Sequence, residues 1–326
     1  MEMPQLVRRD IDMLETPGMS IGKAELLCRH AVYAYFSRRD VSRLISSSPW
    51  DGHKVWDRKQ NQGFIAWSNS CVVIAFRGTD SKEDWAKNSK ALWPKRHPLG
   101  GKVHRGFLEV SEQVKSHVMQ ILRNLGPRKR RILLTGHSLG GAIATELAAA
   151  ICAAKPAWLD EIEVATFGAP RLGDGQFEKS YEQLVGNSHW WFVNSGDPVP
   201  HLPPNAMGYR HCGRLCWFDK SGRLVDIGER EVGLQSGSTT NSTRAAISEY
   251  KSLEERLPRL GNEEEYSRFL HAIAEEIGQE PFGIKINGDE VVLTPENAEL
   301  QGDFGEWIAT HHRLILYYER VNALTQ

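Results

Sequence analysis

A short stretch in the middle of the chain restricts the fold more than any other. Ile132-Leu133-Leu134-Thr135 is an unbroken apolar run, Gly136-His137-Ser138-Leu139-Gly140-Gly141 a glycine-rich turn, and residues 142–154 are rich in alanine up to the stop at Pro156. An apolar run this short suits a strand buried on both faces, and alanine is the strongest helix former. Strand, tight turn and helix in that order form the repeating unit of a parallel sheet whose helices cover both faces.

The flanking sequence repeats the pattern. Residues 20–45 place Ala24, Leu27, Ala31, Ala34 and Tyr35 at helical spacing, which predicts helix. Residues 64–67, Ser68-Asn69-Ser70 and residues 71–76 read as strand, turn, strand. After Phe107, the positions Val114, Val118, Ile121, Leu122 and Leu125 share one helical face, and Gly126-Pro127 ends it. Further strands are expected at 163–167 and 190–194. The fold class expected is therefore α/β, a mostly parallel central sheet flanked by helices. Its turns at 136–141, 168–173 and 195–204 all follow strands and converge on the carboxyl edge, where such sheets hold their ligands. Residues 226–300 differ: rich in Glu, Arg and Ser, they offer a helix at 263–277 and a hairpin signal at Asn287-Gly288, but too few apolar residues for a core. They read as an insertion of unassigned role within one domain spanning 1–326.

Bulk properties remove several alternatives. Hydrophobic residues are 40% and charged residues 25% of the chain, and the net charge is −1, without the basic excess expected of a nucleic-acid binder. The five cysteines are odd in number and scattered, against a disulfide scaffold. Cys212 and Cys216, if on one strand, lie about 13 Å apart, beyond the roughly 7 Å that a bridge allows, so two thiols on one strand face are expected. The first twenty residues are charged throughout, unlike a secretory signal, and no apolar stretch matches a membrane span. The default expectation is a soluble cytoplasmic protein without stable membrane insertion, or a secreted one whose leader has been removed. Zinc-site spacings are absent, so neither metal nor cofactor is expected.

Gly136-His137-Ser138-Leu139-Gly140 fits G-x-S-x-G, and its place between an apolar strand and a helix is that of a nucleophile elbow. Such a turn lifts the serine hydroxyl clear of the backbone by straining it, and only very small side chains fit two residues before and after. The helix that follows aims backbone N–H groups at the serine. The Leu139 N–H is thereby available to a developing oxyanion.

Beyond this turn, Phe76-Arg77-Gly78-Thr79, residues 103–107 (V-H-R-G-F), residues 166–174 (T-F-G-A-P-R-L-G-D) and residues 194–200 (N-S-G-D-P-V-P) occur in order. Together with the elbow they resemble the class 3, or fungal-type, lipases over roughly residues 20–225, with a short return at 305–321. The resemblance implies an α/β-hydrolase fold and a carboxylic ester hydrolase working through an acyl-enzyme. It implies Ser138 as nucleophile, Asp197 as the acid of the triad, and Thr79 with Leu139 as oxyanion donors. The family's base is followed by an apolar residue at +2 and a tyrosine at +5. His312 meets this with Leu314 and Tyr317; His311 is the alternative. The distance from Asp197 to His312 is about twice what is usual in the family, because the insertion intervenes.

The resemblance also implies a lid at 81–93. Here the lid carries Trp85 and Trp93 among many charges, less apolar than an interfacial helix. Short- to medium-chain esters are the expected substrates, with at most transient lipid-interface contact through the lid. Phospholipase A1 and aryl or feruloyl esterase stay open as neighbouring activities. A hydrolase fold retained only for binding or regulation is the non-enzymatic alternative.

Overall fold

The structure is a computed structural model, and it describes residues 2–58, 61–78, 94–154, 156–157, 159–226, 248, 282–286, 289–293 and 314–326. Its centre is an eight-stranded sheet whose strands lie side by side in chain order. They are β1 (Gly52–Arg58), β2 (Asn61–Trp67), β3 (Cys71–Phe76), β4 (Arg130–His137), β5 (Leu159–Phe167), β6 (His189–Asn194), β7 (Arg214–Phe218) and β8 (Leu224–Asp226). The five strands β3–β7 run parallel. At the edges, β1–β2–β3 and β7–β8 are antiparallel.

Seven helices clothe the described part of this sheet: α1 (Arg8–Glu15), α2 (Ile21–Tyr33), α3 (Arg38–Ser46), α4 (Arg105–Asn124), α5 (Leu139–Ala154), α6 (Gly175–Leu184) and α7 (Leu314–Ala323). The period-two alternation of the strands sorts them into two layers. Val73, Ala75, Leu133 and Phe167 pack with α1, α2, α3 and α7. Val72, Ile74, Phe76, Ile132, Leu134 and Val164 face α4, α5 and α6. The fold is the α/β arrangement that the sequence implies.

Two expectations need correction. Residues 20–45 are two helices, because the Ser37 side chain accepts the Asp40 N–H and starts α3 afresh; the break turns Tyr35 toward the carboxyl edge of the sheet, where its hydroxyl meets His137. Cys212 and Cys216 do not share a strand face. Cys212 precedes β7, beyond Gly213 with its φ of +87°, and packs in the α4–α5–α6 layer, whereas Cys216 packs in the other. All five cysteines are free thiols. In the segment read as an insertion, residues 282–286 and 289–293 pair antiparallel; Asn287 and Gly288 lie outside the described residues. The helix expected at 263–277 lies outside the described residues.

The amino edge of the sheet is held by buried charge. The Lys23 ammonium on α2 sits 2.9 Å from both Glu163 oxygens on β5 and donates to the Thr16 carbonyl. Arg131 on β4 reaches Glu163 at 3.3 Å and Glu161 at 2.9 Å. Burial pushes the Glu163 carboxyl up and its hydrogen bond to Lys23 pulls it back. Removing one member of a buried pair strands the other's charge. Lys23→Met is accordingly expected to lower unfolding free energy by about 3 kcal/mol, read from urea denaturation at neutral pH; a loss below about 1 kcal/mol would mean that Arg131 alone satisfies Glu163.

Candidate active site

Strand β4 ends against β3 and β5, and the chain must reverse into α5 within one residue. Ser138 makes that reversal with φ at +55°, the one non-glycine residue at positive φ among those described. Its N–H continues the β4–β5 ladder onto the Phe167 carbonyl at 3.0 Å, and its own carbonyl accepts the Gly141 N–H at 2.9 Å. Left-handed backbone at a residue with a Cβ stores strain, typically 1–3 kcal/mol.

The glycines around it are forced by space. A Cβ on Gly136 would run into the Gly140 backbone, with the Gly141 nitrogen at 2.7 Å. One on Gly140 would strike the Phe76 carbonyl, with Arg77 backbone atoms at 2.8 Å, and one on Gly141 would meet the Ala169 Cβ at 2.6 Å. The crowding expected two residues either side of Ser138 is thus present. Leu139 opens α5, so its N–H is among the first amides of a helix, which have no intrahelical acceptor.

Asp197 follows β6 and is wholly buried. Val199 N–H donates to its Oδ1 at 2.9 Å. The Tyr317 hydroxyl, from α7, donates to its Oδ2 at 2.6 Å while accepting the Asn194 N–H at 3.0 Å. Burial, and next the Asp197 charge, hold that phenol far above its ordinary range, so it stays a donor. Tyr317 thus ties the helix that begins two residues after His312 to the acid. The sequence reading used this tyrosine only as a spacing mark; its bond to the acid was not read.

Nine of the twelve histidines lie in the described part. None of the nine serves Ser138, whose buried hydroxyl has no hydrogen-bond partner among the described residues. His137 faces the Tyr35 hydroxyl at 2.8 Å. His104 caps α4 by accepting the Phe107 N–H, and burial pushes it down to about 3. His211 stacks on Trp191 at 3.9 Å and donates to the Pro200 carbonyl, and His189 lies between Thr166 and Tyr181. These are packing roles. Thr79, Trp85, Trp93, His311 and His312 all lie outside the described residues.

A strained serine between a parallel strand and a helix, with a buried carboxylate at the end of a later strand, defines an α/β hydrolase. Residues 73–207 match the family described as lipase (class 3). A lipase of Rhizomucor miehei is 32% identical over 170 residues, 49% of this chain and 45% of that one. The secreted mono- and diacylglycerol lipase 1 of Fusarium solani is 33% identical over 153 residues, 45% of this chain and 44% of that one. The solved structure of the Rhizomucor miehei triacylglyceride lipase superimposes with a TM-score of 0.53 at 25% identity, covering 67% of this chain and 83% of that one. Over residues 73–207 the chain is similar to the class 3 lipase family. It spans less than half the length of the two curated relatives named.

Proposed function

We propose that this protein is a serine carboxylic ester hydrolase of the lipase/esterase type. Ser138 attacks the ester carbonyl as His312 takes its proton, and Asp197 holds the imidazole's tautomer and offsets its charge. The amides of Leu139 and Thr79 receive the oxyanion; the acyl-enzyme then yields to water activated by the same histidine. The observation that carries this reading is the pair of Ser138, strained and with its hydroxyl unengaged among the described residues, and Asp197, buried and braced by Tyr317. The brace holds the start of α7 beside Asp197; His312 is preferred to His311 for its spacing to Leu314 and Tyr317.

The substrate class proposed is lipid or soluble esters of short to medium acyl chain. Its support is the polar composition of residues 81–93, where Trp85 and Trp93 are the apolar contacts offered to acyl chain or lipid surface. The secreted Fusarium relative favours an extracellular site of action over the cytoplasmic default. No helix among the described residues is long and apolar enough to cross a membrane.

Hydrolysis of p-nitrophenyl esters from acetate to palmitate, by wild type, Ser138→Ala, His312→Ala and His311→Ala, tests the proposal. Activity is expected in wild type and His311→Ala and absent from the other two. Survival in His312→Ala but not His311→Ala would transfer the base to His311. A sharp rise in rate above the solubility limit of the ester would defeat the polar-lid reading.

A further inference from the structure

Tyr35 occupies the bend between α2 and α3, and the sequence reading counted it only as part of an apolar helical face. Its hydroxyl does something more specific. It accepts the Gly78 N–H at 3.1 Å and lies 2.8 Å from the His137 Nδ1. Gly78 immediately precedes Thr79, and His137 immediately precedes Ser138. One phenol oxygen therefore joins the two chain segments that must converge on a reacting carbonyl.

The junction is tight. A Cβ on Gly78 would collide with the Tyr35 hydroxyl, and would meet the His137 carbonyl at 2.8 Å and the Ser138 Cβ at 3.1 Å. Gly78 is thus pressed against the nucleophile's own side chain. Its N–H meets the same phenol oxygen, supplied from just beyond the end of α2. The hydroxyl also shares a hydrogen bond with the His137 Nδ1, its direction set by the tautomer of that ring. With both partners engaged, the Tyr35 hydroxyl is set to hold backbone in place.

We propose that Tyr35 is a positioning residue for the oxyanion site: it staples Gly78, the residue before the proposed donor Thr79, to the nucleophile elbow. The proposal rests on the ester-hydrolase reading above. Oxyanion donors act through placement, and one donor displaced or lost costs about 100-fold in rate. Displacement falls on the transition state, so the loss belongs to kcat while KM stays. The Gly78 N–H, buried against the elbow, loses its acceptor when the hydroxyl goes, and the loop is then free to drift from Ser138.

The test is Tyr35→Phe, which keeps the ring and deletes the oxygen. With p-nitrophenyl butyrate, kcat is expected to fall about 10- to 100-fold with KM within about twofold. Binding of a trifluoromethyl ketone, whose adduct with Ser138 carries an oxyanion, is expected to weaken by the same factor. Thermal unfolding of the variant is followed alongside, and Tyr35→His, a second variant with a polar ring, is expected to recover part of kcat. Unchanged kcat in folded, active Tyr35→Phe overturns the proposal. So does a lower kcat with unchanged ketone affinity, which would point to the elbow's folding and not to the oxyanion donors. Wild type that neither hydrolyses esters nor reacts with a serine-directed phosphonate overturns the ester-hydrolase reading itself, and this proposal with it.

Discussion

Replacing Ser138 by glycine is expected to give a protein that is more stable than its parent and hydrolytically inert. The nucleophile's removal is expected to lower kcat by about 10⁶-fold, the scale seen when a serine triad loses its attacking group. The stability gain has two sources. Ser138 holds φ at +55°, which glycine adopts without steric cost. Its hydroxyl is also buried without a hydrogen-bond partner among the described residues, and such a group carries a desolvation penalty. Glycine gives back part of the gain through the freer unfolded chain, about 0.4–1 kcal/mol. Ser138→Ala separates the two sources, since alanine sheds the hydroxyl but keeps the strained backbone. Glycine is expected to exceed alanine by about 1 kcal/mol in urea unfolding. Equal stabilities would show that the elbow is not strained in solution.

The second large effect is on pH. Burial pushes His30 down to about 4, against a weaker opposing hydrogen bond to the Leu26 carbonyl. It pushes His104 down to about 3, and His189 to about 3 with a small further push from His211. The unfolded chain titrates these groups near 6.5. Between that value and the folded ones, the unfolded chain binds more protons, so stability rises with pH. The contribution is complete above about pH 6.5 and is lost as pH falls toward 4 and 3. Each histidine costs about 1.4 kcal/mol per pH unit in that window, and three together about 4 kcal/mol per unit. A stability of the usual 5–15 kcal/mol would be spent within about one to four units. The raised carboxyls of Glu25 and Glu163 act in the opposite sense, but chiefly nearer their own titration range. Cooperative unfolding is therefore expected between about pH 5 and 3. His104→Asn keeps a side-chain cap on α4 and removes one titrating group, so the slope should flatten by roughly a third. A melting temperature flat from pH 7 to 4.5 would refute the buried-neutral assignment.

Much of the scaffold was legible because the relevant signals are local. An apolar run between turn residues marks β3 and β4, an alanine tract marks α5, and Asn-Gly marks the antiparallel pairing of 282–286 with 289–293. The elbow was legible because steric exclusion leaves a residue signature: nothing larger than glycine fits at 136 and 140. Asp197 was found from its motif, and the structure adds the hydrogen bonds that a motif does not encode. What escaped was long-range partnership. Tyr35 and Gly78 are 43 positions apart, and Tyr317 and Asp197 are 120 apart. Helical periodicity scores a tyrosine as an apolar face, and nothing in the local sequence tells a packing ring from a bonding hydroxyl. The break between α2 and α3 escaped because an apolar face continues across it, while one serine cap decides it.

The strictly sequential sheet has a consequence for the order in which this molecule can mature. Each strand is placed beside one already made, so a chain emerging from the ribosome can lay down β1 through β8 without waiting for distant sequence. Catalytic competence does not follow that schedule. Asp197 is translated past the middle of the chain, and the tyrosine that braces it arrives 120 residues later, on α7. The growing chain therefore passes through a long interval in which the central sheet is complete but Asp197 has only its local Val199 N–H bond and not the Tyr317 hydroxyl.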